Sequence, residues 1–253
     1  FTPIDTAGTP GPSNGVFYAT PANQLEGWGI SNTIDWKLSD KYSLKFITGY
    51  REYETLSGQD NDGSPLGVLA SLSEFNHKQI SQEIRFNGEA FDSLLEYTLG
   101  GIYFDQETRY ASRESDPFIS PTFDFIQDDT TNNETRAIFA HGIWHLTDKL
   151  NVTTGIRYTE QDKDYTFYRL NIDGVTPFLP LSDPANPLNG RVGRFEGSHT
   201  DYRLSVDYQW TNNLMTYVQF STGFKGGGIS PRPYVPEQIL AFGIEELDAY
   251  ELG

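Results

Sequence analysis

A strict alternation of side chains across Asp201–Trp210 constrains the fold more than any other feature of the sequence. Five apolar or aromatic residues alternate there with five polar ones, and the former are Tyr202, Leu204, Val206, Tyr208 and Trp210. A helix would scatter these residues around its axis, whereas a β-strand places them all on one face. Thr211-Asn212-Asn213 then predicts a tight turn, because asparagine tolerates positive φ. With the looser alternation through Leu214–Phe224, the stretch predicts an antiparallel hairpin.

The same alternation recurs along the 253 residues and predicts an all-β chain of about eight to nine meander strands. The strands are predicted at 28–38, 42–55, 78–89, 94–109, 135–146, 150–168, 199–210, 214–229 and 247–253. Residues 1–27 are rich in Gly, Pro, Thr and Asn and are predicted to form a loop.

The connections between these strands alternate between short and long. The short turns are 39–41, 90–93, 147–149 and 211–213, and the long loops are 56–77, 110–134, 169–198 and 230–246. In an antiparallel meander alternate connections lie at opposite ends, so all the long loops share one end. Loops longer than about 12–15 residues are uncommon in compact domains. Outer-membrane β-barrels, by contrast, combine short periplasmic turns with long extracellular loops.

The overall composition excludes several classes of protein. The net charge of −17 argues against binding nucleic acid, which requires basic groups to neutralise phosphate. The chain has no cysteine, which excludes a disulfide framework and thiolate metal sites. All 14 prolines fall in the predicted loops or in the first 27 residues, where they interrupt no strand ladder.

Four tryptophans, Trp28, Trp36, Trp144 and Trp210, are predicted to form aromatic girdles at the two borders of a membrane. Three of them lie next to short turns, and Trp28 lies eight residues before Trp36, on the same face of one strand. That spacing corresponds to roughly 20 Å along the membrane normal, close to the roughly 25 Å of an apolar band. The alternative is that these residues cap the core of a soluble β-sandwich.

The opposite face is too polar for a dry core, so it must meet water or a polar domain. Its predicted charged residues are Asp35, Lys37, Lys45, Arg51, Glu83, Arg85, Arg157, Asp201, Arg203, Asp207 and Lys225. A barrel lumen would satisfy this requirement. In the central hairpin we therefore expect Val206 to face lipid and Ser205 to face the lumen.

Several segments resemble the barrel of TonB-dependent outer-membrane receptors. They are Tyr217–Gly228 followed by Pro236-Glu237 and Tyr250–Gly253, together with Ile80–Phe86, Leu99–Phe104 and Leu150–Thr159. The resemblance extends over roughly residues 28–253. It implies a transmembrane β-barrel fragment in which residues 1–253 form a middle part of the barrel, with the plug domain and the C-terminal strands absent.

The resemblance further implies an active transport receptor for ferric siderophores in the bacterial outer membrane, energised through TonB. The implied partners are outer-membrane lipid, the receptor's own plug domain, the TonB complex through a missing N-terminal region, and the ferric siderophore. Other iron chelates, vitamin B12 and glycans remain open as ligands. No enzyme activity, cofactor or metal site is expected. The alternatives are a passive porin and an outer-membrane enzyme barrel.

Candidate ligand-contacting residues are predicted in and near the loop 169–198. Arg169, Arg191 and Arg194 occur there with Phe178 and Phe195, a combination that suits an anionic, ring-bearing ligand such as a ferric chelate. The alternative is that the arginines pair with loop acids or lipid head groups. The loop 110–134 holds six acidic residues against the single Arg113 and is predicted to be a solvated acidic loop, with divalent cation binding as the alternative.

Two further motifs are interpreted without a chemical role. Gly223–Gly228 lacks the residue order of a phosphate-binding loop, and its glycines indicate a bend or a close approach of another backbone. His141 and His145 have the spacing of a helical zinc pair, but on a strand they stand roughly 13 Å apart. They are therefore expected to be unrelated polar residues.

Overall fold

The computed structural model describes residues 22–60, 69–116, 123–178 and 187–253. The strands are β1 (Ala22–Lys37), β2 (Tyr42–Asp60), β3 (Ala70–Ala90), β4 (Leu95–Ser115), β5 (Asp124–Thr147), β6 (Leu150–Phe167), β7 (Arg169–Leu170), β8 (Arg191–Thr211), β9 (Leu214–Lys225), β10 (Gly228–Ile229), β11 (Ala241–Phe242) and β12 (Glu245–Leu252). A single 3₁₀ turn covers Pro236–Gln238. Within the described ranges no helix is long and apolar enough to cross a membrane.

The main sheet is an antiparallel meander, as the sequence predicts. Its strands follow the order β1-β2-β3-β4-β5-β6-β8-β9-β12, with the short β7 paired to β5. The strands β10 and β11 form a separate two-stranded sheet. Every strand on the main path corresponds to one strand predicted from the alternation of side chains.

Most strands are longer than predicted at the end of the sheet that carries the long loops, but β6 ends at Phe167 and β9 at Lys225, one and four residues short of the predicted bounds. At the short-turn end, the predicted and observed bounds differ by at most one residue. At the long-loop end, β1 begins at Ala22 inside the predicted loop 1–27, β4 continues to Ser115, and β5 begins at Asp124. The predicted loops 56–77, 110–134 and 169–198 were therefore wrong in part, because strand residues occupy their flanks.

These extensions have polar side chains on both faces, which removes the hydrophobic alternation that identifies a strand. The 24 residues of β5 extend roughly 80 Å, whereas about 9–11 residues are enough to cross a bilayer. Ion pairs add to apolar contacts there, such as the buried cluster of Ala111, Ile126 and Leu170. Arg109 donates to both carboxylate oxygens of Asp128 at 2.6 and 3.1 Å, and Arg113 to both oxygens of Asp124 at 2.9 and 2.7 Å.

The prediction of a solvated acidic loop at 110–134 is corrected by these contacts. The sequence interpretation left Arg109 outside the loop, but the extended ladder brings it opposite Thr130 and beside Asp128. Asp128 and Asp129 are buried, at 9% and 1% exposure. No group of three or more potential metal ligands occurs among the described residues. Of the acids there, Asp124 and Asp128 pair with arginines of the neighbouring strand.

An apolar belt crosses one face of the sheet above the short turns. Cross-strand partners continue it from strand to strand, as in Ile34–Phe46–Ile84 and Gly101–Ile138–Tyr158. Its exposed members include Ile30, Ile34, Ile80, Ile84, Leu99, Ile138, Ile156, Tyr158, Tyr202, Leu204, Val206, Val218 and Tyr250. An exposed apolar surface of this extent marks a face that contacts lipid or another partner.

The opposite face carries charged residues, as expected from the sequence, and several of them have polar partners on neighbouring strands. Lys45 lies 3.1 Å from Asp35 on the neighbouring strand, and Arg203 donates to Gln219 at 2.7 Å. His145 contacts Asn151 at 2.8 Å and Glu96 at 3.1 Å, which gives both of its ring nitrogens a local partner. This face is called the polar face below.

Three of the four tryptophans lie beside short turns, and the fourth, Trp28, lies eight residues before Trp36 on the same face of β1. Trp28 and Trp36 are both exposed on the apolar face of β1, and Trp210 is exposed beside the turn that follows β8. Trp144 is half-buried, and its indole nitrogen donates to Thr154 at 3.2 Å. This placement supports the girdle hypothesis, which remains a prediction.

Candidate ligand-binding site

Residues 226–244, between β9 and β12, fold back over the polar face of β6 and β8, and we call this segment the strap. Its Ile229, Ile239 and Ile244 pack in one cluster with side chains of the sheet. Phe167 and Phe195 form the sheet side of this cluster, and Phe167 is fully buried. The predicted loop 230–246 is therefore a structured element that covers part of the polar face.

The glycines at the start of the strap allow its backbone to approach the sheet. The Lys163 ammonium group donates to the carbonyl oxygen of Gly227 at 2.7 Å. A Cβ atom at Gly227 would overlap the Phe195 ring, and one at Gly226 would overlap Gln161. On the sheet, a Cβ atom at Gly193 would lie 2.6 Å from Ile229. The glycine run therefore lets the strap backbone approach side chains of the sheet and, at Gly227, the backbone oxygen of Phe242 within the strap.

The tip of the strap faces the polar side of β2–β5 across a cavity of about 560 Å³. The strap contributes Arg232, Pro233 and Tyr234. The sheet and its adjoining segments contribute Ser57, Gln59, Leu69, Ser71, Ser73, Tyr110, Glu114, Gln127 and Arg169. Hydroxyl, amide and guanidinium groups predominate, so the cavity suits a polar ligand with several hydrogen-bonding groups. It lies at the long-loop end of the sheet.

A buried network around Asp129 fixes the position of Arg169. The Asp129 carboxylate accepts hydrogen bonds from Arg169 Nη1 at 2.6 Å, from Gln127 Nε2 at 2.7 Å, and from the Tyr165 hydroxyl and the Tyr168 backbone at 3.0 Å. Burial raises the pKa of Asp129, and these donors oppose that shift. Burial, together with Asp129, also raises the pKa of Tyr165, which keeps its hydroxyl protonated as a donor.

Glu114 lies on the cavity wall within the electrostatic influence of two guanidinium groups. Burial raises the pKa of its carboxyl group, while the Ser112 hydroxyl, Arg232 and Arg169 act in the opposite direction. Ser112 donates to Glu114 Oε1 at 3.2 Å. The cavity therefore combines two cationic groups with one partly desolvated carboxyl group.

Aromatic side chains continue from the cavity along the polar face of β2–β4. The rings of Tyr53 and Phe75 stack at 5.9 Å, and Phe75 meets Tyr110 edge-on at 6.3 Å. The Tyr110 hydroxyl lies 3.1 Å from the Ser73 hydroxyl, and His77 stands 4.7 Å from the Tyr53 ring. These rings provide flat apolar surfaces beside the polar cavity.

The structure separates the five residues predicted to contact a ligand. Arg169 lines the cavity, and Phe195 anchors the strap. Arg194 lies on the other face of β8 and pairs with Asp164 at 3.3 Å. Arg191 is exposed at the start of β8, and Phe178 packs against Phe125 at a ring distance of 4.9 Å. Ligand contact by these residues remains a prediction.

Sequence analysis missed the residues that the strap brings to the cavity, Arg232 and Tyr234. It also missed Tyr110, Glu114 and Gln127, because it treated 110–134 as a separate acidic loop. The available signal was the pair of isoleucines Ile239 and Ile244 in a predicted loop, since apolar residues in a loop indicate packing against another element.

Comparisons with known proteins agree with this architecture. The sequence profile described as TonB dependent receptor-like, beta-barrel, matches residues 2–253. The pesticin receptor of Yersinia enterocolitica is 27% identical over 246 residues, which cover 90% of this chain and 34% of that receptor.

Two solved structures show the same fold. The ferric yersiniabactin uptake receptor of Yersinia pestis superposes with a TM-score of 0.72 at 19% identity, covering 94% of this chain and 34% of that one. A siderophore receptor of Acinetobacter baumannii gives a TM-score of 0.59 at 12% identity, covering 83% of this chain and 34% of its own. The chain thus spans about a third of the length of these relatives. Because the family profile matches nearly every residue, the chain belongs to the β-barrel family of TonB-dependent receptors.

Proposed function

We propose that this chain is part of an outer-membrane receptor that imports a ferric siderophore with energy delivered through TonB. The relatives named as a ferric yersiniabactin uptake receptor, a siderophore receptor and a pesticin receptor support this ligand class. The observation that carries the proposal is the cavity under the strap. Its guanidinium, hydroxyl and ring groups match the needs of an anionic chelate with aromatic parts.

The two faces of the sheet have different partners in this proposal. The apolar belt contacts outer-membrane lipid, with the four tryptophans at its borders. The polar face lines a lumen and meets the receptor's own plug domain, and TonB acts through a segment outside this chain. The long-loop end, which holds the cavity, faces the outside of the cell. A ligand would therefore reach the cavity before it reaches the plug.

Uptake by cells tests this function directly. We expect deletion of the native gene to abolish accumulation of radioactive iron supplied as the cognate ferric siderophore during iron limitation. A panel containing ferric yersiniabactin, ferric citrate and a ferric catecholate identifies that complex. Loss of TonB should abolish accumulation equally, because the receptor has no other energy source. Uptake that persists without TonB would instead support a passive porin.

The proposed orientation predicts which surfaces are accessible from outside. Val175 is 78% exposed at the long-loop end, and Ser39 lies in a short turn at the other end. The chain has no cysteine of its own, so single substitutions give specific labelling sites. We expect Val175→Cys in the native protein to react with a membrane-impermeant maleimide on intact cells. Ser39→Cys should react only after the outer membrane is permeabilised. The opposite pattern would reverse the orientation.

A further inference from the structure

We propose that Arg232 is a specificity-determining residue that binds an anionic group of the ligand, with the strap acting as a preorganised carrier for it. This inference rests on the proposed function and adds to it a residue and the charge of the group that the residue recognises. The ligand class that follows is a ferric chelate with net negative charge, or one that presents a carboxylate or phenolate towards the strap.

The strap is closed at its base, so its tip has a defined position. The backbone pairs Gly228–Phe242 and Ile229–Ala241 form the base, and Ser230 N donates to the Leu240 carbonyl at 3.0 Å. Below this base, Ile229 and Ile239 are fixed in the apolar cluster on β6 and β8. The apolar cluster thus holds the strap at a point separate from the ligand cavity.

The tip itself is stiffened by proline and by a side-chain hydrogen bond. Pro231, Pro233 and Pro236 each fix the backbone angle φ. The Gln238 side-chain oxygen accepts a hydrogen bond from Tyr234 N at 2.7 Å, which closes the turn 234–238 just after Arg232. A tip restricted in this way loses little conformational entropy when it contacts a ligand, which favours affinity.

Arg232 differs from Arg169 in how its charge is used. The charge of Arg169 is neutralised by buried Asp129 at 2.6 Å. Arg232 is exposed at the cavity, and among the described residues it has no ion-pair partner within 4.0 Å. The nearest acidic influence is Glu114, whose charged form burial disfavours. The guanidinium group of Arg232 is therefore available to bind an anionic group of the ligand.

The remaining groups of the cavity extend this recognition. Tyr234 lines the cavity from the strap together with Arg232, and Tyr110 lines the cavity from β4. The Phe75 ring contacts Tyr110, and the Tyr53 ring stacks on Phe75. A ring of the ligand next to its anionic group can thus lie against tyrosine while Arg232 binds the anion. Arg169 stays in place as the fixed wall of the cavity.

Binding and uptake by the native receptor carrying single substitutions test the proposal. The variants are Arg232→Gln, the charge-conserving Arg232→Lys, and Arg136→Gln as a matched control at an exposed arginine on the apolar side of β5, outside the cavity. Each is compared at equal receptor abundance in the outer membrane. The probes are ferric yersiniabactin, anionic ferric citrate, and a ferric trihydroxamate complex, which is neutral. Cells treated with a protonophore report binding without transport.

We expect the native receptor to prefer a charged probe over the neutral complex. Arg232→Gln should weaken binding of the charged probe that the receptor prefers by about ten- to a hundredfold, because this is the usual contribution of a charge-assisted hydrogen bond to affinity. Arg232→Lys should retain part of the affinity, and Arg136→Gln should retain all of it. Preference for the neutral trihydroxamate, or unchanged affinity in Arg232→Gln, would overturn the proposal. If the native receptor takes up none of the probes, the proposed function fails together with this inference.

Discussion

Replacing Asp129 by alanine should destabilise the protein by about 3–5 kcal/mol, because the change leaves Arg169 buried without its counter-charge. Asp129 is 1% exposed and Arg169 is 8% exposed. The carboxylate accepts four hydrogen bonds, which join β5, the end of β6 and the short β7. Alanine removes all of them and cannot replace the lost charge.

The matched control is a second Asp–Arg pair of the same chain that lies in solvent. Asp164 and Arg194 approach to 3.3 Å, with side-chain exposures of 47% and 71%. Exposed pairs of this kind contribute about 0–1 kcal/mol, so Asp164→Ala should have a small effect. Comparing the two substitutions separates the effect of burial from the effect of losing a carboxylate.

Unfolding in detergent with urea, together with the amount of folded protein in the outer membrane, measures both variants. The double variant Asp129→Ala/Arg169→Met should recover part of the lost stability, since it removes the uncompensated charge as well. Equal stabilities of Asp129→Ala and Asp164→Ala would show that the network around Asp129 does not support the long-loop end of the sheet.

The sequence was sufficient for the topology because apolar alternation is present wherever strands cross the apolar belt. Leu204 and Val206 of β8 are followed within a few residues by Thr211-Asn212-Asn213, so both the strand and its end are marked locally. Beyond the belt the same strands carry polar side chains on both faces, and several of these are buried in ion pairs and hydrogen bonds. The start of β5, from Asp124 to Glu134, has no hydrophobic period of two, and its pairing depends on Arg109 and Arg113 of the neighbouring strand.

The candidate site could be predicted only in part, for a related reason. The sequence indicates Arg169 as a candidate ligand contact, because aromatic residues occur in the same predicted loop. Arg232 and Tyr234 reach the cavity because Ile229 and Ile239 pack against Phe167 and Phe195, which lie far away in the chain. Residue propensities and periodicity predict local structure, so they cannot predict a contact between residues that are far apart in the sequence. The glycine run indicated that some backbone comes close without identifying which one.

Replacing Val206 by arginine should impair assembly of the barrel in the membrane, at a cost of about 2–4 kcal/mol near the bilayer midplane. Val206 is exposed on the apolar face, and its cross-strand partners are Val152 and Val218. It lies six residues before the turn at Asn212, which corresponds to roughly 15 Å along the membrane normal at a tilt of about 40°. In the proposed orientation the arginine would therefore enter lipid, with the apolar side chains of Val152 and Val218 beside it.

The control for this substitution should place the same arginine on the polar face at the same height. Ser205 is the sequence neighbour on that face, but it is 8% exposed, and a large side chain would be crowded there. Thr153, the cross-strand partner of Ser205 on β6, is half-buried on the polar face and offers more room. We expect Thr153→Arg to assemble close to the native level and Val206→Arg to lose most of the heat-modifiable form on gels. Equal tolerance of both arginines would mean that the belt around Val206 does not face lipid, because in water the two faces of the sheet would accept the charge alike.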